Sequence, residues 1–287
     1  MNGFNLSDIQ DAKLGTTQLS SIYLGSTELW SDGPHYERQY LTIESLENGN
    51  TVSIKSQNST YKTIQWSTDG TTWTSVTSST SGELITTLDA GDKLYLKGNN
   101  NSYGAMWSVV TKIIVTKSYN LYGNIKSLVY GDNFNVDTFP NSGDCTFWQM
   151  FRDTPVIDAS NLILPTQLRI VMYSNMFAGC TSLIAPPELP ATTTVYQCYN
   201  GMFNGCTSLA IAPLLRSSHV DMYSYQGMFM NTQVTSITTY AEELGTDGFK
   251  NWLYGVPASG TFTKKATMTL FPEGASGIPS GWTVIDV

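Results

Sequence analysis

Met176-Phe-Ala-Gly-Cys-Thr-Ser-Leu183 returns as Met202-Phe-Asn-Gly-Cys-Thr-Ser-Leu209, 26 residues later. The same 26-residue step places Met-Phe pairs at Met150 and Met228, and an aromatic stands three residues before each Met: Phe147, Tyr173, Tyr199 and Tyr225. A unit this short cannot bury its own apolar face, so successive copies must stack. Stacking at strand spacing, about 5 Å, turns the Met-Phe pairs and Leu183/Leu209 into apolar columns of the core. Cys180 then lies over Cys206, with Thr154 and Thr232 completing the column in the outer copies, a thiol and hydroxyl ladder in preference to a disulfide. Pro186, Pro187, Pro190 and Pro213 fall on return segments, where a missing amide donor costs no ladder bond.

The period lies in the range of leucine-rich repeats, each making one short strand and a return segment. Upstream, residues 38 to 118 alternate in short runs such as Thr51-Val-Ser-Ile-Lys55 and Lys93-Leu-Tyr-Leu-Lys97, the pattern of a β-sandwich. Trp66-Ser-Thr-Asp-Gly-Thr-Thr-Trp73 places Asp69-Gly70 as a tight hairpin turn between two tryptophans. Leu14-Gly-Thr-Thr-Gln-Leu19 echoes Leu24-Gly-Ser-Thr-Glu-Leu29 and predicts a three-strand meander ending in Trp30. Such a meander is too small to stand alone and must dock. The fold class expected is mainly β: a short N-terminal β-meander over 1–35, an Ig-like β-sandwich over 36–118, and a repeat solenoid with end caps over 119–287.

The 287 residues carry a net charge of -8, with only 13% charged residues, and Ser plus Thr make close to a quarter of the chain. No basic field exists to displace counterions from a nucleic-acid backbone. Two histidines, His35 and His219, stand far apart without Cys or His at metal-ligand spacing; no metal, cofactor or His-based catalytic triad is expected. A cationic start followed by an apolar run is missing at the N-terminus, and no apolar stretch reaches membrane-spanning length.

The repeats resemble BspA-like leucine-rich repeats, whose signature is Met-Phe-x-Gly-Cys-Thr-Ser-Leu followed by Ala-Pro and Leu-Pro-Ala-Thr-Thr. Met176 to Thr193 follows it nearly throughout. The copy at Met202 loses the tail, and those at Met150 and Met228 lack Gly-Cys, as end coils do. Gly123 to Asp132 is similar to segments that open such arrays, and Asn251 to Val256 with Gly277 to Val284 to segments that close them. Tyr40 to Glu44 and the Trp66 hairpin resemble the β-domain preceding these arrays in proteins of gut bacteria and their phages. Ile22 to Trp30 is similar to short attachment modules of bacteriophage structural proteins.

The resemblance implies a non-enzymatic virion protein displayed on the virion surface. A head fibre is favoured over a tail fibre, anchored to capsid or tail proteins by its N-terminus through Leu14, Leu19, Tyr23, Leu24, Leu29 and Trp30. The projecting part would adhere to host-surface glycans, with Tyr196, Tyr199, Tyr223 and Tyr225 as contacts, although Tyr199 and Tyr225 share the phase of Phe147 and Tyr173 and fit core packing better. Fibres self-associate, so a homotrimer is expected, with a dimer second. A bacterial surface adhesin and a tailspike-like polysaccharide depolymerase remain as alternatives. The latter needs two carboxylates across a groove; Glu242-Glu243 and the Asp89/Asp92 pair read as solvated loop charges. Asp132-Asn133 and Asp137 allow calcium ligation but lack the spacing of a known loop.

Overall fold

The computed structural model describes residues 36–287 except 107, 136–142, 270 and 275, together with the backbone of four short strands among residues 13–31. The chain divides into two units, Met1–Tyr36 and Glu37–Val287, and is mainly β.

In the first unit β1 (Lys13–Leu14) pairs with β2 (Thr17–Gln18), and β3 (Ser21–Leu24) with β4 (Thr27–Ser31), both antiparallel. Among the described residues the expected three-strand meander is instead two strand pairs, β1 with β2 and β3 with β4.

The second unit begins with two sheets that face each other. One contains β5 (Leu41–Ser45), β7 (Thr63–Ser67), β8 (Thr74–Thr77), β10 (Lys93–Gly98) and β13 (Tyr119–Asn124); the other contains β6 (Asn50–Ser56), β9 (Glu83–Leu88), β11 (Gly104–Ala105) and β12 (Val109–Val115). Period-two patterning produces them: Val52 and Ile54 of β6, Leu94 and Leu96 of β10, and Ile113 and Val115 of β12 are buried in one shared core. The Asp69-Gly70 turn departs from expectation. Only Gly70 has positive φ, at 74°, so the connection is a longer loop, closed by the Asp69 carboxylate accepting from the amides of Thr71 at 2.8 Å and Thr72 at 2.7 Å. After β13 comes α1 (Ser127–Tyr130). β13 runs antiparallel to β5 and parallel to β14 (Val156–Asp158) and β15 (Leu162–Ile163), which ties the repeats directly into the first sheet.

The Met-Phe boxes are not strands. In residues 145–154 the amides of Trp148, Met150, Arg152 and Thr154 donate three residues back, to Cys145, Phe147, Gln149 and Phe151. The alternate amides of Cys145, Phe147, Gln149, Phe151 and Asp153 donate to carbonyls of the next copy, at Ile170, Met172, Ser174, Met176 and Ala178. This pattern recurs from the second copy to the third and from the third to the fourth. A run of linked turns needs a left-handed residue every fourth position: Cys145, Gln149 and Asp153 have φ of 58°, 56° and 63°, and Val171, Asn175 and Gly179 repeat the phase. An extended strand cannot take those angles, which is why the expected strand is missing from the box.

Register between copies creates two aromatic columns. Phe147, Tyr173, Tyr199 and Tyr225 stack at 5.7 to 5.8 Å between ring centroids; Phe151, Phe177, Phe203 and Phe229 stack at 5.8 to 6.0 Å. All four Met side chains are fully buried between them. Each such aromatic contributes about 1.5–3 kcal/mol by burial and each pair roughly 0.5–1.5 kcal/mol more. The thiol ladder forms as expected: Cys180 and Cys206 are free, and their thiols donate to the carbonyls of Phe151 and Phe177, each at 3.1 Å.

Both ends of the stack are covered. The amides of Tyr103 and Ile113 donate to the carbonyls of Thr146 and Met150, standing in for a preceding copy, while Tyr103 extends the first column at 6.5 Å from Phe147. At the far end residues 247–255, which overlap the expected closing segment Asn251 to Val256, make a fifth run of turns; the fourth copy donates to it at Thr246, Gly248, Lys250, Trp252 and Tyr254. Above it Phe249, Trp252, Phe262 and Phe271 interlock edge-on or tilted. The sheet of β17 (Ser236–Thr238), β19 (Gly260–Lys264) and β20 (Trp282–Asp286) runs parallel beside them. β16 (His219–Val220) and β18 (Glu243–Leu244) make a further short parallel pair.

Two consequences can be measured. The Tyr225 hydroxyl bonds to Ser217, eight residues earlier; Ala191 and Pro165 hold that place relative to Tyr199 and Tyr173, whose buried hydroxyls have no partner among the described residues. Tyr199→Phe should therefore stabilise the fold by about 1 kcal/mol and Tyr225→Phe destabilise it by a similar amount, in urea unfolding; equal effects would remove the explanation.

Burial pushes the Cys145 and Cys180 thiols up to about 11 and Cys198 to about 12, from a reference of 9.0. A folded state that keeps these protons is fully favoured below pH 9 and loses that advantage as pH rises through 11 to 12. Denaturation midpoints should fall between pH 8 and pH 11, with the thiols unreactive toward a disulfide reagent at pH 8 until urea is added.

Candidate functional site

Of the ten residues singled out in the sequence, Tyr199 and Tyr225 are each 1% exposed and lie inside the first aromatic column. Neither can touch a ligand; their phase with Phe147 made them core. Tyr196 and Tyr223 are half-buried and meet edge-on at 5.9 Å. They make a small surface pair. Leu14, Tyr23, Leu24, Leu29 and Trp30 lie on described strands, with Ile22 opposite Trp30 and Leu24 opposite Thr27. Their side chains, and Leu19 altogether, lie outside the described residues.

The acids of the enzymatic alternative are turned apart. Glu242 meets Lys265 at 2.9 Å and Glu243 meets His219 Nδ1 at 2.7 Å. Asp89 and Asp92 serve a turn: the amide of Gly49 donates to Asp89, and that of Asp89 to Asp92. Asp132 is taken by the Lys97 ammonium at 2.7 Å and by the Tyr40 hydroxyl at 2.7 Å. Lys97 sits 3.9 Å over the Trp73 ring, so a cation of the chain's own fills that place. Burial, followed by the hydrogen bond to Asp132, pushes the Tyr40 hydroxyl up to about 12. Asp137 lies outside the described residues, and no cluster of three metal-ligating side chains occurs among those described.

What the turn runs do build is a groove of about 180 Å³ across three successive copies. Its lining is Trp148 and Gln149 from the first, Val171, Ser174 and Asn175 from the second, Gln197 and Asn200 from the third, and Met106 from the β11–β12 connection. None of these side chains is charged. Two larger clefts near the C-terminal end differ in chemistry: one, about 320 Å³, holds the Asp247–Lys250 ion pair, and the other, about 290 Å³, is walled mostly by Gly, Pro and Ala.

Within the groove Asn175 donates to Ser174 Oγ at 3.0 Å and Asn200 to Gln226 Oε1 at 2.9 Å. No described residue engages the side-chain amides of Gln149 and Gln197. Four lining residues, Gln149, Val171, Asn175 and Gln197, have φ of 53° to 59°. The ladder position of Gln149 and Asn175 is taken by Gly201 and Gly227 in the next two copies. Gly201 also makes room, because a Cβ there would meet the Asn175 carboxamide oxygen at 2.6 Å. One sequence signal marks the groove: Gln149 and Asn175 keep side chains at a phase where later copies change to glycine.

Comparisons with known protein families, with curated proteins and with solved structures return no match for this chain.

Left-handed backbone costs a residue with a Cβ about 1–2 kcal/mol, offset in part by the greater freedom of glycine in the unfolded chain. Gln149→Gly should therefore raise stability by about 0.5–1 kcal/mol, read from urea unfolding midpoints; a loss of stability would show that the Gln149 side chain packs rather than strains.

Proposed function

We propose that the chain is a structural adhesion protein, a short bacteriophage fibre with the head position favoured over the tail, that holds host-surface glycans without cleaving them. In this reading residues 1–35 attach to another virion protein, the Ig-like two-sheet region spaces, and residues 119–287 are a BspA-like leucine-rich-repeat solenoid. Support for the repeat assignment lies in the signature boxes and in backbone bonds that join successive copies in register. Support for the anchor lies in the resemblance of Ile22 to Trp30 and in the grouping of residues 1–36 as a unit of their own.

The observation that carries the adhesion reading is the uncharged, amide-lined groove across three copies. A carboxamide donates and accepts at once, as vicinal sugar hydroxyls do, and an indole edge or face supplies apolar contact to a ring. A non-enzymatic role agrees with Glu242 and Glu243 being engaged by Lys265 and His219 and with Asp89 and Asp92 serving a turn.

The test uses the full chain. Immobilised protein should retain polysaccharide extracted from the phage's host with its length distribution unchanged, and light scattering should give three times the chain mass. Mass spectrometry of purified virions should recover the chain. Progressive shortening of the polymer would replace adhesion with depolymerase activity, and absence from virions would remove the fibre assignment.

A further inference from the structure

We propose that the groove takes an uncharged polysaccharide laid along the stack axis, with the side-chain amides of Gln149 and Gln197 as its direct hydrogen-bonding contacts; this rests on the adhesion reading above. Three observations converge. The lining contains no ion, and the chain as a whole carries a charge of -8, so a polyanion would be repelled and would find no cationic partner to compensate. Of the four amide side chains in the groove, Asn175 and Asn200 are already bonded to Ser174 and Gln226. Gln149 and Gln197, two copies apart, are left to bond something else.

The third observation is strain. Gln149 stands at φ of 56° at a ladder position that Gly201 and Gly227 fill in later copies without this penalty, and Gln197, at φ of 53°, stands at the position of Cys145, Val171 and Tyr223, where every copy bears it. Backbone strain retained beside a cavity is a pointer toward function when observed first and interpreted second.

Orientation follows from the repeat. Equivalent rings recur every 5.7 to 5.8 Å along the stack, close to the advance of an extended pyranose chain per sugar. A chain along the axis therefore meets each copy with about one sugar, and the two free amides are separated by two such steps along the axis and by four residues across it. A chain across the axis would reach only one of them.

Titration calorimetry with cello-, chito- and malto-oligosaccharides of one to six sugars, and with oligogalacturonate as the anionic comparison, tests the proposal on the full chain. At least one neutral series should gain affinity with each added sugar up to three or four and then level off. Gln149→Gly and Gln197→Gly should each weaken the longer oligomers by about tenfold, the loss of one or two hydrogen bonds, while their thermal midpoints rise. That opposite movement separates a binding role from a packing role. Affinity independent of length, preference for oligogalacturonate, variants that bind as the parent does, or no binding by any neutral series would each overturn the proposal. If host polysaccharide is still retained in such a case, the adhesion reading survives; if it is not, both fall.

Discussion

Every second backbone amide in the turn runs donates to the copy above, and the others donate three residues back within the copy. This division fixes the rest of the repeat region. It satisfies donors that would be buried, holds equivalent residues in register, and demands a left-handed residue at every fourth position. Columns of Phe, Tyr, Met and Cys are its result, because register places the same buried positions of successive copies over one another. The ends obey the same constraint: Tyr103 and Ile113 supply the amides that the first copy needs from below, so the two-sheet region doubles as the floor of the stack.

A 26-residue phase is a strong signal, and the core columns, the free thiols and the burial of Tyr199 were contained in it. Alternation likewise marked β6 and β10 to within a residue or two of their ends. The local backbone of the box was less legible. Met-Phe-x-Gly-Cys has the apolar density of a buried strand, and hydrophobic pattern alone does not separate strand from linked turns. What distinguishes them is the four-residue spacing of φ-tolerant residues, visible at Asn175, Gly179, Gly201, Gly205, Gly227 and Asn231 but hidden at Cys145, Val171 and Tyr223, which take the same conformation against their preference. The fifth turn run is masked in the sequence because two residues are deleted before it and Trp252-Leu253 replaces Met-Phe.

The site was harder to read for a related reason. Aromatic residues were the natural candidates for sugar contact, yet those sharing the repeat phase were consumed by the core: Tyr199 and Tyr225 pack where Phe147 does, and only Tyr196 and Tyr223, outside that phase, reach the surface. In a repeat architecture the in-phase residues build the scaffold, and information about binding lies in the departures from phase. Gln149 is such a departure, as is Trp148, which occupies the ladder place of Ser174, Asn200 and Gln226.

Departures of this kind have opposite energetic signs, and the sign separates their roles. Ser217 departs from Ala191 and Pro165 by giving Tyr225 a partner, a change that strengthens the interior. Gln149 departs by keeping a side chain where Gly201 and Gly227 stand in later copies, a change that weakens the fold and leaves an amide in the wall of the groove. Gln197 stands where Cys145, Val171 and Tyr223 take the same left-handed backbone, and what it shares with Gln149 is a place in the wall across three copies with a side-chain amide that no described residue engages.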